Sequence, residues 1–184
     1  SYIANSVRVL FATYIKLGLT DIPTILEHIN AEINQRKYYS EKLMNMSLVL
    51  GYVEDHKLHL WGRHEQALHL TGLSTVTLID THQHGTLLGV KDSILEDLQE
   101  LVISLGEQEL VLFYTDGATE HENLSKEAYG LNRLQWMLTE GMYQAYNLPS
   151  KQVVRNILKD LEAWHPIASD DTTLLAIRRK PVDR

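Results

Sequence analysis

Between positions 46 and 115 the chain breaks into six short runs rich in Val, Leu, Ile and Thr, at 46–54, 57–61, 66–70, 74–80, 99–105 and 109–115. Clusters of Gly, Asp, Glu and His divide them. Aliphatic and β-branched runs of this length, punctuated by turn formers, read as strands with short connections, the texture of an antiparallel sheet. On either side the periodicity changes. In 1–17 the apolar positions Ile3, Val7, Leu10, Phe11, Tyr14 and Ile15 fall on one helical face. After Gly18 a second helix is expected, with Asp21 accepting from free amides, Pro23 in the first turn, and Ile25, Leu26, Ile29 and Ile33 on the buried side. Helical spacing returns after Gly130 in Leu131, Leu134, Leu138 and Met142. It returns again behind 147–150 in Val153, Val154, Ile157, Leu158 and Leu161, and a last strand covers 172–178. Helices, then strands, then helices, then a strand make a segregated α+β order and exclude βαβ alternation.

Bulk properties narrow the function. With 184 residues, 44% of them hydrophobic, the chain can bury the core of one domain over 1–184, and no repeat or linker divides it. Lys and Arg number 17 against 24 Asp and Glu, a net charge of -7 that opposes a phosphate backbone, so no nucleic-acid partner is expected. The absence of cysteine excludes a disulfide framework, a thiolate zinc site and a cysteine nucleophile. No apolar run approaches the roughly 18 residues of a membrane span, and the N-terminus lacks signal-peptide organisation. A soluble cytoplasmic protein is expected.

Two acidic positions stand at strand ends. In LVLFYTDG, at 110–117, five apolar residues run through Thr115 into Asp116 and Gly117; in SDDTTLLAIRR, at 169–179, Asp170 and Asp171 immediately precede the last strand. If the two strands are antiparallel neighbours, the end of one and the start of the other lie at the same end of the sheet, and the carboxylates converge. Converging carboxylates repel unless a cation lies between them, and Mg²⁺ or Mn²⁺ takes such oxygen ligands. Singly, each motif also reads as a turn or a solvated cap.

The ordered set of segments resembles the bacterial SpoIIE/RsbU-type serine phosphatase domain, a branch of the PPM (PP2C-like) metal-dependent phosphatases. The resemblance is carried by VLFYTDGATE at 111–120 and SDDTTLLAIRR at 169–179. TLLGV at 86–90, AYGLNRL at 128–134 and NMSLVLGYVE at 45–54 extend it, with Ser47 where the family usually has Thr. It implies an antiparallel β-sandwich flanked by helices in four αββα layers, and a two-metal centre of Mn²⁺ or Mg²⁺. It also implies attack on a phosphoserine or phosphothreonine protein by metal-activated water, with no catalytic side-chain nucleophile. On this resemblance Asp116 and Asp170 fall on metal-ligand positions, Gly117 permits the turn, and Asp171 stands beside the ligand in a hydrogen-bonding role. The implied substrate is a regulatory phosphoprotein such as a STAS-type anti-sigma-factor antagonist, in signal transduction governed by an upstream receiver or sensor domain.

The departures carry their own expectations. The family's Gly-Gly-Asp and Gly-Asp-Val…Gly-His-Gly segments do not occur in the sequence. SYIANSVRVLF resembles the helix that follows them, so the chain is expected to be the C-terminal portion of a longer domain, incomplete at its N-terminus and inactive by itself. Gly62, Arg63 and His64 stand where the family has Ala-Gly-His, and Glu65 and Gln66 replace its prolines. This favours a second reading, a pseudophosphatase that binds its partner as an adaptor. Exposed sheet edges and apolar surface are expected, to be covered by another copy, as in a homodimer, or by an N-terminal fragment. His56, His59 and His69 are expected to face solvent, His82 and His84 to lie in a polar turn, Trp61, Trp136 and Trp164 to pack in the core or between helices, and 119–128 to be a mobile loop.

Overall fold

The computed structural model describes residues 2–40, 45–141, 145–167 and 170–180. Ser1, Met142 and Ser169 lie outside them, as does the side chain of Ile3. In chain order the elements are α1 (Tyr2–Lys16), α2 (Ile22–Ser40), β1 (Leu48–Glu54), β2 (Lys57–Arg63), β3 (Ala67–Leu70), β4 (Val76–Ile79), β5 (Leu101–Ser104), β6 (Leu110–Tyr114), α3 (Asp116–Thr119), α4 (Gly130–Trp136), α5 (Ser150–Trp164) and β7 (Leu174–Arg178). Every strand run of the sequence is present within two residues of its expected ends. The class is α+β with two antiparallel sheets and helices, as expected.

Two compact units are formed, 1–64 with 81–103 and 65–80 with 104–184. In the first, the sheet order is β1-β2-β5. β1 and β2 are a hairpin in register from Leu48 opposite Arg63 to Glu54 opposite Lys57. Its two-residue turn holds Asp55 and His56 at φ 45 and 63, the left-handed pair that a tight hairpin of this twist requires. Leu48, Leu50 and Trp61 share one face of the hairpin, and Val7, Ile22, Ile25, Leu26, Ile29 and Ile33 of α1 and α2 cover it. Each fully buried Ile or Leu contributes about 1.5–3 kcal/mol, which outweighs the modest helical preference of a β-branched face. Asp21 accepts from the Thr24 amide at 2.9 Å, as the helix-start pattern predicted, and those Thr24 hydrogen bonds hold its carboxyl below the usual aspartate value. Asn30 is fully buried because its amide is satisfied, donating to the carbonyls of Lys91 (3.0 Å) and Asp92 (3.1 Å) and accepting from the Gly89 amide (2.8 Å).

In the second unit the order is β4-β3-β6-β7, antiparallel throughout. β6 is a central strand, so Leu110, Val111 and Leu112 are all buried; the unbroken apolar run in the sequence is the mark of that position. α4, the turn that continues it and α5 lay Leu134, Leu138, Val153, Ile157 and Leu161 against Leu68, Leu70, Leu110, Leu112 and Tyr114. α4 passes into a π-helical turn, Met137–Gly141. Arg133 ties the two helices together. Its guanidinium binds Asp160 through Nε to Oδ2 (2.9 Å) and Nη2 to Oδ1 (3.0 Å), and Tyr129 Oη donates to the same carboxylate at 2.7 Å.

The 119–128 segment is a hydrogen-bonded turn. Glu122 bridges to Ala128, and Asn123 Oδ1 accepts from the amides of Ser125 (2.9 Å) and Glu127 (3.0 Å). One asparagine satisfying its own loop replaces the mobility that the polar composition suggested. Trp61 and Trp164 pack as expected, Trp164 also donating Nε1–H to the Glu127 carbonyl at 3.2 Å, whereas Trp136 is 43% exposed. Edge strands β1, β4, β5 and β7 carry exposed Val53, Leu78, Val102 and Leu175.

Candidate functional site

The geometric premise for the acidic positions is met: β6 and β7 are antiparallel neighbours, with Tyr114 opposite Leu174. The end of β6 and the start of β7 therefore lie side by side, which places Asp116 and the 170–173 segment at the same end of one sheet.

A hydrogen-bond clasp fixes that junction. The Thr115 amide donates to the Thr173 carbonyl (3.1 Å) and the Thr173 amide to Thr115 Oγ1 (3.0 Å). Thr115 Oγ1 donates to the Asp171 carbonyl (3.3 Å), and Thr172 Oγ1 donates to the Gly117 carbonyl (2.9 Å). Gly117 is buried within it. A β-carbon there would lie 2.5 Å from the Asp171 carbonyl oxygen, so the glycine is required by the close approach of two backbones. The left-handed glycines are at 18, 62, 89 and 130, so a turn conformation is not what Gly117 supplies.

Asp116 is exposed and is the first residue of α3; its Oδ1 accepts from the Gly117 amide at 2.9 Å. Asp170 is exposed as well, with Oδ1 accepting from the Asp171 amide at 2.7 Å. Asp171 makes its hydrogen bonds through the main chain, donating to Asp170 and accepting from Thr115. Beneath them Tyr114 is buried; burial, aided by the charge of Glu65, pushes its phenol up to about 12, so it stays a neutral wall of the core.

The donor chemistry tests the fit to a divalent cation. Each aspartate has one oxygen oriented by a neighbouring amide, and neither is paired with a Lys, Arg or His among the described residues. One or two carboxylates with several waters suit Mg²⁺ or Mn²⁺. The pair fits part of such a site. Among the described residues no three His, Cys, Asp or Glu side chains converge, so a closed centre is not assembled from them.

Two histidines, His59 and His69, are placed otherwise than expected. His59 binds Glu100 (Nδ1 to Oε1, 2.6 Å) and stacks on Tyr52 with centroids 4.9 Å apart, and His69 binds Glu109 (Nε2 to Oε2, 3.0 Å). Both are half-buried, because a cross-strand carboxylate satisfies the ring. His56 is exposed, in the hairpin turn. His64 pairs through Nδ1 with Ser47 Oγ at 2.8 Å. His82 and His84 lie in a turn, with His84 Nδ1 buried. What the sequence reading missed at the site is the clasp itself; its signal was the threonine flanking each acidic motif, Thr115 before Asp-Gly and Thr172-Thr173 after Asp-Asp.

A family model described as Stage II sporulation protein E (SpoIIE) matches residues 1–180. No curated protein matches. Among solved structures, the SiaA-PP2C domain of Pseudomonas aeruginosa is similar with a TM-score of 0.74 and 19% identity, over 96% of this chain and 69% of that one. A Mycobacterium tuberculosis structure of RsbU and RsbW domains is similar with a TM-score of 0.71 and 17% identity, over 99% of this chain and 48% of that one. The manganese-presoaked phosphatase domain of SpoIIE from Bacillus subtilis gives 0.52 and 13%, over 98% and 76%. At these identities the likeness is one of fold.

Proposed function

We propose, from the premise that this chain belongs to the SpoIIE family of PP2C-like phosphatases, that it carries part of the metal centre of a protein serine/threonine phosphatase. The observation that supports this reading is the β6–β7 pairing, which brings the loops of Asp116 and Asp170 to the same end of the sheet, with no basic partner for either among the described residues. Exposed carboxylates at neighbouring strand ends, with no basic side chain paired to them, are oxygen donors of the kind that Mg²⁺ or Mn²⁺ takes. When bound, Mn²⁺ or Mg²⁺ supplies activation of water and neutralisation of phosphoryl charge. Asp116 and Asp170 would hold it; Thr115, Thr172 and Gly117 keep the two loops in register, and no side chain acts as nucleophile.

The activity belongs to a polypeptide that carries further acidic ligands besides this chain, which spans 69% and 48% of the first two structures above. Its substrate is a phosphoserine or phosphothreonine regulatory protein, such as a STAS-type anti-sigma-factor antagonist, under an upstream receiver or sensor domain. One observation favours the second reading, an inactive adaptor: Gly62, Arg63 and His64, followed by Glu65 and Gln66, depart from the Ala-Gly-His and prolines that the family resemblance implies.

The deciding measurement is Mn²⁺-dependent phosphate release from a phosphoserine protein by the longer polypeptide, with Asp116→Asn and Asp170→Asn beside it. A loss of 100-fold or more in both variants is expected. Turnover that survives either substitution removes that aspartate from the metal centre, and no turnover with retained partner binding supports the adaptor.

A further inference from the structure

In the second unit, at the end of β7 opposite to Asp170, lies a half-enclosed cavity of about 530 Å³, large enough for a small organic molecule. Tyr146, Leu148 and Pro149 give it apolar walls; Arg178 and Lys180 are its charged lining residues, and among the described residues no acidic side chain lines it. In a chain of net charge -7 that local balance is opposite to the whole.

Arg178 is the unusual member. Its Nη2 donates to the Ala145 carbonyl at 2.9 Å and its Nη1 to the carbonyls of Gln108 and Tyr146. Three carbonyls satisfy N–H groups but bring no net negative charge, and no carboxylate pairs with Arg178 among the described residues. Its Nε is buried without a partner among the described residues. Burial accordingly pulls the guanidinium below the ordinary arginine value, the direction expected of a cation removed from water without a counter-charge. Lys180, exposed beside it, has no ion-pair partner among the described residues either.

An uncompensated, half-buried cation costs stability unless something offsets it, and apolar walls around such a charge select for a molecule with an apolar body and an anionic head. We propose that this cavity is a binding site for a small organic anion, an aromatic or aliphatic carboxylate whose head faces Arg178 and Lys180 and whose body lies against Tyr146, Leu148 and Pro149. The site is independent of the phosphatase reading, since it uses none of the residues at the β6–β7 junction.

The test is calorimetric titration of the full chain with 3-phenylpropionate and, as the neutral control of equal shape, 3-phenylpropionamide. The acid should bind at least tenfold more tightly than the amide, and its affinity should fall as salt is raised. Lys180→Gln should weaken the acid several-fold and leave the amide unchanged. Arg178→Gln removes three backbone anchors and can fail to fold, so Ser150→Trp, which fills the cavity wall, is the second variant; it should abolish acid binding with the thermal midpoint preserved. Equal affinities for acid and amide, no heat from either at millimolar concentration, or an affinity untouched by both variants would overturn the proposal.

Discussion

Gly117 shows how a single residue can be selected by a neighbour 54 positions away. Its hydrogen faces the Asp171 carbonyl where a β-carbon would stand 2.5 Å from the oxygen, so Gly117→Ala must part the two loops that carry the acidic residues. We expect a loss of about 1–3 kcal/mol, the usual cost of a forced backbone shift, read as a lower urea midpoint with an unchanged slope. Thr172→Val tests the adjacent bond. It removes the donor to the Gly117 carbonyl while keeping the side-chain shape, and should cost about 1 kcal/mol, with Thr172→Ser restoring most of it. If both substitutions are silent in stability, the clasp does not hold the junction and its threonines are incidental. The sequence displayed the aspartates because a carboxylate after an apolar run is conspicuous; it hid the reason for the glycine, because the clash partner is distant along the chain.

At the scale of elements, the link between α4 and α5 in the second unit is an ion pair, Arg133 with Asp160. For Asp160, burial pushes the carboxyl up, but the hydrogen bonds from Arg133 and Tyr129 together with the Arg133 charge outweigh it, so the folded-state value lies below the ordinary one. A carboxyl held low in the folded state contributes stability above its unfolded value of about 4 and loses it as pH falls through the folded value. Wild-type protein should therefore lose stability more steeply below pH 4 than Asp160→Asn, which starts less stable at pH 7; urea midpoints across that range would show the two curves converging. Parallel curves would mean that Arg133 is held by the rings of Tyr129 and Trp164, whose centroids lie 5.3 and 4.5 Å from its guanidinium carbon, and not by the charge of Asp160. The strands and helices themselves were legible because their periodicities are local: β6 from its unbroken apolar run, α2 from Asp21 and its apolar stripe. The ordered 119–128 turn was not, because composition registers polarity while Asn123 acts through hydrogen-bond geometry.

For the whole molecule, the α+β class followed from the order of the segments, whereas the division of the seven strands of the described residues into two sheets required pairing partners that periodicity does not encode. The same limit applied to the site. Antiparallel pairing of β6 and β7 could be stated only as a condition, and it is met; a complete ligand set could not be read off, and the described residues bring no third ligand to the two aspartates. That shortage yields a quantitative expectation. Few carboxylates and many retained waters make a weak site, and the weak end of the range of protein calcium sites, roughly 10⁻⁴–10⁻³ M, sets the expectation, far from the affinity of a closed cage. The chain of 184 residues should therefore bind Mn²⁺ in that range, measured by loss of the free-ion paramagnetic resonance signal, and Asp116→Asn or Asp170→Asn should each weaken it tenfold or more. Because binding to the folded state alone stabilises by RT ln(1 + [L]/Kd), 1 mM Mn²⁺ should raise the thermal midpoint only slightly. Micromolar affinity would mean that further ligands converge on the β6–β7 edge. Affinity indifferent to both substitutions would place the cation elsewhere and leave the two aspartates as turn residues, the reading that each motif allowed when taken alone.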